Sequence, residues 1–210
     1  MKRRHIIVWA VLALAVGSST AQSPRSARIL IVGDSLSAEY GLARGTGWVA
    51  LLEKRLADEN ILATVHNASI SGDTTPGGRA RLPALLTNLK PSVVVIELGG
   101  NDALRGLPLQ GTEDNLRNMT EAAQKAGAKV LLVGMQVPPN YGRDYADRFS
   151  GLFAKVAKGE KAGLVPFLLK GVADVPDAAN LFQPDRIHPK AEAHPALLNN
   201  VWPELKKLLK

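Results

Sequence analysis

The chain contains no cysteine, which excludes disulfides, thiolate metal sites and cysteine nucleophiles and leaves the core to supply stability. It also lacks a basic face. The one dense group of cations, Lys206, Lys207 and Lys210, has no aromatic residues interleaved, so no nucleic-acid partner is expected. Those cations suit the negative end of a helix dipole. No internal repeat and no low-complexity segment follows the first two dozen residues. No apolar run is long enough for a bilayer: Ile6 to Val16 (IIVWAVLALAV) falls short by roughly half of the about 20 residues that a span requires.

That run has another meaning. Lys2, Arg3 and Arg4 precede it, and Ser19 and Ala21 follow at positions suited to cleavage after Ala21. Residues 1–21 thus read as a secretory signal peptide that is removed, leaving 22–210 as one domain. Its loss takes three cations and no acid from the +7 balance. The expected product is a mildly basic, exported monomer, periplasmic or secreted, with no stable membrane anchor. With 46% hydrophobic and 21% charged residues among 210, the composition suits one sizeable core and excludes a disordered chain.

Five apolar, β-branched runs read as strands: Ala27 to Val32, Ala63 to Asn67, Ser92 to Leu98, Lys129 to Met135 and Val165 to Leu169. Helical spacing is expected over Trp48 to Glu59, Arg79 to Leu89, Thr112 to Ala126, Tyr145 to Lys161 and Lys190 to Leu209. Strands that are apolar nearly throughout are covered on both faces. The fold class is therefore α/β, a three-layer α/β/α sandwich around a five-stranded parallel sheet in flavodoxin-like order. Such sheets bind ligands at the carboxyl ends of their strands. The segments there are Gly33-Asp34-Ser35-Leu36, Ala68 to Asp73, and Gly99-Gly100-Asn101-Asp102.

Ser35 follows a strand and a turn-forming glycine, a placement that projects a hydroxyl over the sheet edge and suits a nucleophile. Capping of a short helix by Asp34 and Ser35 is the other reading. Ser37 replaces the last glycine of Gly-x-Ser-x-Gly, which argues against an ordinary α/β-hydrolase elbow. Past the leader there are three histidines. His66 lies within a strand, packed or at an edge, and His194 is expected at the surface of the last helix. His188 stands in Asp185-Arg186-Ile187-His188, where one turn lets the aspartate reach Nδ1, fix the tautomer and leave Nε2 for the serine; a chance Asp-x-x-His is the plainer reading of that spacing alone. An oxyanion would need preorganised donors. Gly72 can bring its amide close, Asn101 offers a carboxamide on a loop made pliable by two glycines, and the Ser35 amide is the third. A turn glycine and an Asx turn are the plainer readings of Gly72 and Asn101.

Taken together, these blocks carry a resemblance. Ser35 in Gly-Asp-Ser-Leu, Gly72, Asn101 in Gly-Gly-Asn-Asp and His188 in Asp-x-x-His occur in the order and approximate spacing of the SGNH (GDSL) hydrolase family. The strings GDSLSAEY, NASISGDT, ARLPALL, ELGGNDALRGL and PNYG extend it over nearly all of the chain past the leader. The resemblance implies a serine hydrolase that needs neither metal nor other cofactor and cleaves esters and thioesters of medium to long acyl chains, lysophospholipids included. Ser35 would be the nucleophile, His188 the base and acid, and Asp185 its orienter, with the Ser35 amide, Gly72 and Asn101 as the oxyanion hole. Carbohydrate deacetylation within the family, and acyl binding without chemistry, are the alternatives. Glu39 stands where a small, glycine-like residue is expected. Its carboxylate is expected in solvent, the other reading being that it disfavours anionic substrates. Asp34, Asp73 and Asp102 read as capping and loop-bonding residues.

An acyl chain needs an apolar groove. Leu104, Leu107, Leu109, Met135, Val137, Pro138 and Tyr141, from the loops after the third and fourth strands, are its candidates, flanked by Leu36 and Ile187. Pro138-Pro139 would stiffen one wall, and Gly77-Gly78 would let another move over the ligand.

Overall fold

The computed structural model describes residues 26–210, and the expected signal peptide lies outside them. Five parallel strands, β1 (Ala27–Gly33), β2 (Ala63–Asn67), β3 (Val93–Glu97), β4 (Lys129–Val133) and β5 (Gly163–Val165), pair in the order β2-β1-β3-β4-β5. This is the expected flavodoxin-like order. It follows from right-handed crossovers that run one way from β1 to β2 and the other way from β3 onward. Among the described residues, six helices connect or follow the strands: α1 (Trp48–Asp58), α2 (Thr75–Leu89), α3 (Gly100–Leu104), α4 (Leu109–Lys125), α5 (Arg143–Gly159) and α6 (His194–Leu208). Helices α1 and α6 pack together, while α2, α4 and α5 form a second packed set, as reversal of the winding at β1 requires.

Burial explains the strand pattern. Ile29 to Val32 and Val93 to Ile96 are buried on both faces, whereas edge strand β2 leaves His66 exposed. Trp48, Phe149 and Phe153 are among the largest fully buried side chains, with the two phenylalanine rings edge to face at 5.5 Å.

The differences from expectation have local causes. Strand β5 covers Gly163–Val165 rather than Val165 to Leu169. Pro166 has no N–H for the ladder, so Phe167, Leu168 and Leu169 are buried in a loop instead. Helix α2 begins four residues early, at Thr75, and absorbs Gly77 and Gly78. A Cβ on Gly78 would stand 2.3 Å from Leu98 Cδ1. That glycine serves close helix–sheet packing, not the moving wall expected of it. Helix α4 starts at Leu109, directly after Pro108, and α6 is preceded by a single 3-10 turn over Ala191–Ala193.

Candidate active site

The carboxyl ends of β1, β2 and β3 meet where the winding reverses, the usual place for a ligand in an open parallel sheet. Ser35 leaves β1 in a succession of turns rather than a helix, and Asp34 Oδ1 accepts the Leu36 N–H at 3.0 Å. Across 153 residues of sequence, Ser35 Oγ donates to His188 Nε2 at 2.8 Å. The opposite ring nitrogen, Nδ1, donates to Asp185 Oδ2 at 2.7 Å. Asp185 Oδ1 also accepts the N–H groups of Ile187 and His188, at 2.9 and 3.0 Å. Arg186 bridges this tight turn in the left-handed region, at φ +58°. Burial acts to raise the Asp185 pKa, but the bonds from the His188 ring and from the two amides outweigh it and hold the group at about 2. Asp185 is thus ionised at any neutral pH, and the ring stays in the tautomer that leaves Nε2 to accept the serine proton.

The three expected donors lie around the same serine. Gly72 adopts φ +79°, a conformation open to glycine at no steric cost. Among the described residues, neither the Ser35 nor the Gly72 N–H has an acceptor. Asn101 sits in helix α3, not in the pliable loop expected, so its backbone is fixed. Both hydrogens of its Nδ2 are engaged, by Asp34 Oδ2 at 3.0 Å and the Asp73 carbonyl at 2.9 Å. An oxyanion would take over one of them. Arg105, which caps α3, donates to the Gly72 carbonyl at 2.6 Å and so ties the Gly72 turn to the helix carrying Asn101.

The neighbouring aspartates do what the sequence suggested. Asp73 pairs with Arg81 at 2.8 Å. Asp102 accepts from the Thr75 N–H at 2.9 Å and from the Thr75 and Thr112 hydroxyls, which supplies the start of α2 with the cap its own Thr74 does not make. Two expectations fail. Glu39 does not face solvent: its carboxylate accepts from the amides of Gly45, at 3.0 and 3.2 Å, and Gly47, at 2.8 Å. Its φ of +58° accounts for the expectation of glycine there. His194 is not at the surface but 2% exposed, with Nδ1 accepting the Trp48 N–H at 3.0 Å.

The apolar candidates divide. Leu36 and Met135 belong to the core, and Leu109 and Val137 are half-buried and pack against it. Leu107 is half-buried, Pro138 is exposed, and Tyr141 stacks on Tyr145 at 5.9 Å. Ile187 and Leu104 are exposed, as are Tyr40 and Ile70, which the sequence reading passed over. Tyr40 lies with its ring centroid 4.3 Å from that of His188. A cleft of about 420 Å³ lies between the β2 exit and α2, lined in part by Ala68, Ile70, Arg81 and Leu85. It is on the β2 side of β1, opposite to the groove expected beside β3 and β4. Gln183 was also missed. Its N–H donates to the His188 carbonyl at 2.8 Å, and its Nε2 donates to the carbonyls of Tyr40 at 3.0 Å and Pro189 at 3.2 Å. It therefore ties the His188 loop to the turn that follows Ser35, and a glutamine five residues before a histidine carries no sequence signal of that contact.

Comparison with known proteins gives concordant findings. The pattern of the GDSL-like Lipase/Acylhydrolase family matches residues 31–196. Esterase TesA of Pseudomonas aeruginosa is 52% identical over 206 residues, 98% of this chain and 100% of that protein. The thioesterase 1/protease 1/lysophospholipase L1 of Escherichia coli K12 is 38% identical over 209 residues, 100% of this chain and 98% of the other. A crystal structure of TesA superposes with a TM-score of 0.83 at 56% identity, covering 86% of this chain and 99% of that one.

Proposed function

The chain belongs to the GDSL-like lipase/acylhydrolase family and is an ester and thioester hydrolase acting on small-molecule esters, and from that premise we propose that Ser35, His188 and Asp185 carry the reaction. The supporting observation is the continuous hydrogen-bonded line from Ser35 Oγ through His188 to Asp185. Ser35 Oγ attacks the acyl carbonyl while His188 Nε2 takes its proton, and Asp185 stabilises the imidazolium that forms. The Ser35 and Gly72 amides and Asn101 Nδ2 receive the oxyanion, each worth roughly 3 kcal/mol in the transition state. The imidazolium then protonates the departing alkoxide or thiolate, which leaves as the alcohol or thiol. Water, deprotonated by the same nitrogen, cleaves the acyl-enzyme and releases the acid.

The apolar surface offered by Tyr40, Ile70, Leu104 and Ile187 favours substrates with medium to long acyl chains, lysophospholipids among them. The cationic and apolar N-terminal segment supports export with removal of residues 1–21, giving a monomer in the periplasm or beyond; no helix of the described residues is long and apolar enough to cross a membrane. The test compares initial rates of the parent and Ser35→Ala on p-nitrophenyl esters from acetyl to palmitoyl, together with fluorophosphonate labelling. Rates that peak beyond acetyl, with labelling at Ser35 and loss of both in the variant, are expected. A peak at acetyl alone would transfer the reading to a deacetylase. Unlabelled protein with equal, trivial rates would overturn the catalytic assignment.

A further inference from the structure

Glu97, the last residue of β3, is 3% exposed directly behind the nucleophile turn. Its Oε2 accepts from the Asp34 N–H at 3.3 Å and from Ser37 Oγ at 2.7 Å. The Ser37 hydroxyl itself accepts from Trp48 Nε1 at 3.2 Å, so its own hydrogen is committed to Glu97. Gly33 makes room for this arrangement. A Cβ there would stand 2.8 Å from Glu97 Oε2 and from Ser37 Oγ.

Neutral donors on one oxygen do not offset the several kcal/mol that burying a bare carboxylate costs. Burial first, and then the charge of Asp34, push the Glu97 pKa well above the usual carboxylate range. Burial also raises Asp34, to about 6; the Asp34 N–H bond sets Glu97 Oε2 beside that residue, and a bond between the two side chains adds to the rise at Glu97. Side by side, such groups do not both ionise, and one proton serves the pair. The charge settles on Asp34. Its oxygens accept from Leu36 N–H and Asn101 Nδ2, and Asp73, an acid acting on it, is paired with Arg81. Glu97 then keeps the proton and donates it to Asp34.

We propose that Glu97 is a positioning residue for the oxyanion hole: as a neutral acid it holds the Asp34 carboxylate, which in turn fixes the Asn101 carboxamide and the turn carrying Ser35. The role rests on the assignment of Ser35, Gly72 and Asn101 given above. Glu97 touches no substrate atom. Its effect on turnover passes through Asp34, a residue one bond along the chain from the nucleophile and 3.0 Å from an oxyanion donor.

Infrared spectroscopy and a mutant cycle on the full chain test it. At neutral pH the difference spectrum of parent minus Glu97→Gln is expected to contain the carbonyl stretch of a protonated carboxylic acid, and its absence would overturn the shared proton. Gln keeps both the acceptor and the donor, so Glu97→Gln is expected to hold kcat within about threefold. Leu removes both. Glu97→Leu is expected to lose about 100-fold in kcat with KM within about threefold, since misplacement on the scale of 1 Å costs that much. Asn101→Ala is expected to cost the parent about 100-fold or more, yet under about tenfold in the Glu97→Leu background, because the two act as a unit. Equal costs in both backgrounds would reduce Glu97 to an ordinary core residue and overturn its role alone. If Asn101→Ala leaves the parent unimpaired, the oxyanion-hole assignment falls, and the role of Glu97 with it. The infrared band involves only the conservative variant, so the proposal stays refutable even if Glu97→Leu does not fold.

Discussion

His194 couples the stability of this fold to pH, and the sign of the effect follows from where its two nitrogens point. Helix α1 begins after Gly47, which has no side chain to cap it. Its first amide, that of Trp48, is instead accepted by His194 Nδ1 from α6, 146 residues away. Protonating Nδ1 removes that acceptor and places a cation at the positive end of a helix dipole, which is unfavourable twice over. Burial accordingly lowers the His194 pKa below its usual 6.5, against the opposing pull of the Pro189 carbonyl and the Glu39 carboxylate. Below pH 6.5 the unfolded chain takes up a proton that the folded one refuses. The contribution of His194 is complete above that pH and is lost as pH falls toward the folded pKa, with a slope of up to about 1.4 kcal/mol per pH unit. His194→Gln removes the titration. At pH 8 it is expected to cost about 1 kcal/mol through the lost cap. Toward acid pH its stability curve should converge on that of the parent. Asp34 and Glu97, whose raised pKa values act in the opposite direction, are present in both proteins and cancel in the difference. Urea unfolding at half-unit steps from about pH 5 to 8 measures that difference. A difference that stays flat across this range would refute the buried, neutral acceptor role.

Two further predictions concern the rim of the site. Asp185→Asn preserves shape but cannot hold the His188 tautomer, so kcat is expected to fall by about 100-fold or more with KM little changed; ester hydrolysis within tenfold of the parent would contradict the orienting role. Glu39→Gly relieves a left-handed backbone worth about 1 kcal/mol. It also loses the acceptor of the Gly45 and Gly47 amides and adds freedom to the unfolded chain, so the net expectation is a loss of about 1 kcal/mol. Thermal unfolding checks the sign, and an equally or more stable variant would show that those amide bonds contribute little.

What was legible in the sequence was legible for chemical reasons. Gly-Asp-Ser and Asp-x-x-His each have a plainer reading alone, and it is the four ordered blocks together, through the family resemblance they carry, that pointed to Ser35, His188 and Asp185, which the structure brings into one hydrogen-bonded line. Buried strands announced themselves by continuous apolar runs, except where Pro166 ends the ladder and the run continues as buried loop. The readings that failed depended on contacts made far along the chain. Nothing local distinguishes a surface histidine at 194 from one buried under α1. Leu36 neighbours Ser35 in sequence, yet the turn sends it into the core. Glu39 reads as a misplaced carboxylate until the amides six and eight residues later are seen to face it.

The placement of the site also explains which contacts hold it. Ser35, Gly72 and Asn101 arrive from the ends of β1, β2 and β3, adjacent strands whose register is fixed by the sheet itself. Asp185 and His188 come from the chain beyond β5, at the far edge, and have no such register. They are carried back across the sheet in the segment leading into α6. Gln183 anchors that segment to the Tyr40 and Pro189 carbonyls, and His194 anchors its end to the first turn of α1. The seam between α1 and α6 is therefore where fold stability meets the geometry of the proposed site. Loosening it would leave the sheet, with Ser35, Gly72 and Asn101 at its strand ends, in place while moving His188 away from Ser35.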